Sequence, residues 1–109
     1  MALSGYKLMW TMVLFDLPVG TKAERRAATG FRNFLLDEGF EMSQFSVYMR
    51  FCAGKEQAER ITKTIGQNVP ATGKVHIVYF TDRQYENIVA FDGRKREPDR
   101  KNPTQFVMF

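Results

Sequence analysis

The sequence predicts an α+β fold in which two helices cover one side of a four-stranded sheet, and three features carry that prediction. Met9–Asp16 and Lys74–Asp82 are apolar runs of the length and density of central strands. Two amphipathic helical patterns begin near Thr21 and Gly54. Phe40–Cys52, between them, is rich in aromatic and β-branched residues. The resulting order is β-α-β-β-α-β with an additional C-terminal strand.

Each element follows from local chemistry. Met9–Asp16 (MWTMVLFD) runs apolar to a terminal carboxylate, and Leu17, Pro18, Val19 and Gly20 punctuate its end as a turn. Thr21 stands three residues before Glu24, the spacing of a capping box, so a helix is expected to start there. Along it Ala23, Ala27, Phe31, Phe34 and Leu35 are expected to face the core, with Lys22, Arg25, Arg26 and Arg32 on the opposite side. Gly39 can end the helix in the left-handed conformation. Phe40–Cys52 is expected to fold as a hairpin turning near Ser43–Gln44. Lys55–Gln67 gives a second helix with Ala58, Ile61 and Ile65 on one face, closed by Pro70 and Gly73. Lys74–Asp82 (KVHIVYFTD) is the last central strand and Asn87–Phe91 the additional one. This is the split βαβ, or ferredoxin-like, pattern.

Two helices cover only one sheet face, yet both sides of the first strand are apolar: Trp10, Met12 and Leu14 on one, Met9, Val13 and Phe15 on the other. The uncovered face predicts a homodimer packed sheet against sheet. Beyond Gly93 the composition turns charged and then apolar at Phe106, Val107, Met108 and Phe109. Residues 1–93 are therefore expected to be the dimerising domain and 94–109 a charged linker with an apolar tail. The tail suits docking on another protein or folding back on its own domain.

The 109 residues, 44% hydrophobic with ten Phe, suit one packed domain. A net charge of +4 favours a polyanionic partner. No run approaches the ~20 apolar residues of a membrane span, and Met1–Lys7 lacks secretion-signal character, so the expected location is the cytoplasm. Cys52, the single cysteine, is expected to be a buried thiol.

Among residues with chemistry to offer, Asp16 stands out, because the end of a buried strand before a helix N-terminus is where such sheets build sites. It can equally be a turn residue bonding its own backbone. One Asp16 from each of two protomers could hold a magnesium ion, which takes few carboxylates and keeps several waters. His76 is expected to be a packed, hydrogen-bonded ring. Ser46 has no base beside it in sequence, which argues against a nucleophile. Lys22, Arg25, Arg26 and Arg32 can track phosphates or form a solvated helix face. A dimer would carry two such stripes and a formal +8, twice the +4 of one chain, which suits a duplex lying across the two-fold axis. The aromatic signature of RNA-recognition-motif strands is missing from both central strands.

Strand–Asp16–Leu17–Pro18, Thr21–Lys22–x–Glu24–Arg25–Arg26, Gly39–Phe40, and Gln44–Phe45–Ser46–Val47–Tyr48 with the later apolar strand together resemble the small, universal CRISPR-associated adaptation protein family. The resemblance covers Tyr6–Phe91, and the wording of Phe15–Pro18 and Gln44–Cys52 is most similar to members from type II loci. It implies a ferredoxin-like symmetric dimer that clamps duplex prespacer DNA and bridges the CRISPR integrase subunit in spacer acquisition. It also implies an alternative, a metal-dependent endonuclease on RNA or DNA, using magnesium or manganese. In that role the motif match assigns the metal ligand to Asp16, a basic residue of the first helix to Arg32, and a site-adjacent hydroxyl to Ser46.

Overall fold

The computed structural model describes residues 9–100. β1 (Met9–Asp16) leads through the Leu17–Gly20 turn to α1 (Lys22–Asp37). The Thr21 hydroxyl accepts from the Glu24 N–H at 3.1 Å and the Glu24 carboxylate accepts from the Thr21 N–H at 2.9 Å, the predicted capping box. At the other end Gly39 has φ +88°, and the Phe40 and Gly39 N–H groups reach back to the Leu35 and Leu36 carbonyls at 3.0 and 3.1 Å. That is a Schellman motif, and it carries Phe40 into the core beside Leu35. Arg50 reinforces this end by donating to the Glu38 carbonyl.

β2 (Glu41–Gln44) and β3 (Val47–Cys52) form the hairpin, followed by α2 (Lys55–Gly66) and β4 (Lys74–Thr81). The turn falls on Phe45–Ser46, two residues beyond its expected place at Ser43–Gln44. A bulge between Met42 and Gln44 absorbs a residue, and Ser46 takes the left-handed conformation at φ +63° that a glycine would ordinarily supply.

The sheet order is β2-β3-β1-β4, all pairs antiparallel, which is the ferredoxin-like arrangement. Its two edges differ: β2 is four residues long and bulged, whereas β4 is eight residues and regular. One sheet face meets the helices. Val13, Tyr48 and Cys52 pack there against Phe31 and Leu35 of α1 and Ala58, Ile61 and Ile65 of α2, and Cys52 is buried as expected. Ala23 and Ala27 of α1 are exposed rather than core-facing, because Phe31 and Leu35 set the buried stripe of the helix.

The other face, carrying Trp10, Met12 and Leu14, is partly covered by the chain itself. Asp82 opens a one-turn helix, α3 (Asp82–Glu86), instead of ending the strand. Thr81 and Gln84 form its capping box, at 3.1 and 2.9 Å. Tyr85 of α3 stacks on Trp10 with ring centroids 3.9 Å apart, and the Trp10 indole N–H donates to the buried Asp82 carboxylate at 2.9 Å. The additional strand is displaced from Asn87–Phe91: a short hairpin, β5 (Phe91–Asp92) and β6 (Lys95–Arg96), turns at Gly93, whose φ is +64°. Arg100 returns over the Tyr85 ring at 5.4 Å. Leu14 and Val47 are half-buried on the rest of this face, and His76 and Val78 are exposed. The apolar tail at Phe106–Phe109 lies outside the described residues. Among the described residues no helix is long and apolar enough to cross a membrane.

Candidate nucleic-acid interface

Three segments meet at the end of β1. The Phe15 N–H donates to the Ser46 carbonyl at 3.1 Å, so the β2–β3 turn is tied to the residue before Asp16. Phe15 is fixed in turn by Phe31, edge-on at 5.2 Å, and by Tyr48, stacked at 5.7 Å. Asp16, opposite Lys74 of β4, projects into solvent.

Between this strand end and α1 runs a cleft of about 450 Å³ that brings Asp16, Arg25, Arg32 and Ser46 together. Among the described residues Asp16 is the one carboxylate on its wall. Ser46 is half-buried, and its exposed neighbour Phe45 forms an apolar wall with Val19 and Met42. Nothing in the sequence marks these apolar residues as part of a site, since they meet only when the turn folds against β1.

All four predicted cations are exposed, but they divide into two groups. Lys22, Arg25 and Arg26 line a shallow groove along the outer face of α1 with Thr29, Gly30 and Asn33. Arg32 faces the Asp16 cleft, and Arg25 borders both concavities. The Arg25 guanidinium donates to the Val19 and Gly20 carbonyls at 3.1 and 3.4 Å, bracing the loop that follows Asp16. The ion pairs found among the described residues, Lys55–Glu59 and Arg96–Asp99, leave the stripe's charges to solvent. A row of unpaired cations on one helix face attracts a repeating anion such as a phosphate backbone.

His76 departs from expectation. It lies exposed on the open sheet face, in a depression shared with Leu14, Asp16, Ser46 and Lys74, because β4 is an edge strand and no element among the described residues covers that position.

Fold and site together define a small ferredoxin-like protein in which a strand-end carboxylate and helix-borne cations border one cleft. Residues 9–88 match the family described as CRISPR associated protein Cas2, and the chain belongs to that family. It is 60% identical over 107 residues to a CRISPR-associated endoribonuclease Cas2 of Paracidovorax avenae, covering 98% of this chain and 99% of the other. Proteins of the same name from Flavobacterium psychrophilum and Parvibaculum lavamentivorans are 43% and 44% identical, over 98% and 93% of this chain and 93% and 100% of theirs.

Proposed function

We propose that two copies of the chain pair through the open sheet face and hold duplex prespacer DNA across their doubled α1 stripes, bridging the CRISPR integrase subunit during spacer acquisition in the cytoplasm. The observation that carries this reading is the groove on α1, where Lys22 and Arg26 stand free of ion pairs. Half-buried Leu14 and Val47 and exposed Val78 supply apolar surface for the pairing. The test is duplex binding by fluorescence anisotropy, with and without the integrase subunit. Binding that weakens with added salt, and capture of the subunit together with a splayed duplex, is expected. Charge reversal at Lys22 and Arg26 without loss of duplex affinity would remove the reading.

A second reading, cleavage of RNA or DNA, is favoured by the meeting of Asp16, Ser46, Arg25 and Arg32 in one cleft and by the endoribonuclease name of the relatives. Among the described residues no cluster of three or more metal-ligating side chains occurs. That donor set still fits magnesium or manganese, which bind through one or two carboxylates plus water and phosphate oxygens, if each of two copies contributes Asp16. Such an ion supplies water activation and charge neutralisation at the phosphate. Arg32 and the free donors of Arg25 bind the phosphate oxygens, and the Ser46 hydroxyl donates a hydrogen bond beside them. Asp16→Asn should abolish magnesium-dependent cleavage while leaving duplex binding intact; a variant that cuts like the parent removes Asp16 from this role.

A further inference from the structure

We propose that Phe45 is a stacking platform for an unpaired nucleobase at the mouth of the Asp16 cleft. The inference rests on the reading of that cleft as a phosphate-binding site and adds the residue that receives the base. Phe45 is 87% exposed, the greatest exposure among the large apolar side chains of the described residues. A polar residue or glycine serves a two-residue hairpin loop equally well, so neither packing nor turn chemistry accounts for a Phe there.

Its presentation is fixed. Gln44 pairs with Val47 across the loop, Ser46 holds a left-handed backbone, and the Ser46 carbonyl is bonded to β1 through Phe15. A left-handed non-glycine residue held by its surroundings is a form of strain that concentrates at working sites. The ring also stands between two concavities. On one side is the cleft with Asp16, Arg25 and Arg32, and on the other the depression with Asp16, Lys74 and His76. An exposed aromatic flanked on both sides by cations matches a strand whose phosphates pass left and right of one splayed base. In a closed duplex both faces of each internal base are already stacked, so the platform has nothing to receive.

The test titrates a mixed-sequence single-stranded RNA carrying one pyrrolocytosine, whose emission falls on stacking, and the matching duplex RNA. The proteins are the parent, Phe45→Ala and Phe45→Trp, each checked by circular dichroism and light scattering. Phe45→Ala is expected to bind the single strand about tenfold more weakly with reduced quenching, and the duplex unchanged. Phe45→Trp should restore both. Parental affinity and quenching in Phe45→Ala overturn the inference alone, as does a loss that tracks a shift from dimer to monomer, which would make Phe45 a protein contact. A parent that binds no single strand overturns the cleft reading and this inference with it.

Discussion

A Cβ placed on Gly73 would lie 2.8 Å from the backbone carbonyl oxygen of Asp16, so the loop entering β4 touches the carboxylate-bearing end of β1 main chain to main chain. Gly73 also holds φ +97°, a conformation that penalises any side chain. The position of Asp16 therefore depends on a residue far away in sequence that carries no functional group. Gly73→Ala should lower stability by about 2 kcal/mol through the combined clash and backbone strain, read by urea denaturation. An unchanged midpoint would mean that the loop relaxes freely.

Trp10 and Asp82 should be coupled in the same measurement. Replacing Trp10 by Phe leaves the Asp82 carboxylate buried without its indole donor, at a cost of about 1–3 kcal/mol. Adding Asp82→Asn should recover part of that loss, because an unpaired neutral amide is cheaper to bury than a charge. Strictly additive effects in the double variant would show that the bond contributes nothing.

Gly30 sits inside α1 with open space where a Cβ would go. Gly30→Ala should therefore raise stability by about 0.5–1 kcal/mol, visible as an upward shift of a few degrees in Tm. A drop would reveal a contact at this position that the single chain lacks.

Binding to B-form DNA should report the α1 cations one at a time. If Lys22 and Arg26 each contact a phosphate, removing either lowers the slope of log K against log salt by about 0.9, whatever the duplex sequence. Arg25→Ala should cost stability as well, since its guanidinium braces the Val19–Gly20 loop. An equal loss of affinity with an unchanged salt slope would argue against direct phosphate contact.

Much of the architecture was legible because its signals are local. Thr21 and Glu24 mark the start of α1, Gly39 marks its end, and the run to Asp16 is a central strand, each a matter of a few adjacent residues. The hairpin turn was misplaced because Ser46 does a glycine's work and the bulge hides the register. α3 was legible in principle, since Thr81 and Gln84 repeat the spacing of Thr21 and Glu24, but the apolar strand before it masked the cap. The candidate site was half legible. Asp16 and the cations follow from their places in the chain, whereas the wall formed by Val19, Met42 and Phe45 arises only when the turn folds against β1. That Arg25 spends donors on the backbone could not be read from spacing at all.

The unequal borders of the sheet limit how the molecule can multiply. A short, kinked strand on one flank is a poor template, while the long, straight one opposite presents, among the described residues, an open row of main-chain donors and acceptors. A strand added from outside can therefore join along one flank only, a route separate from the face-to-face pairing proposed above.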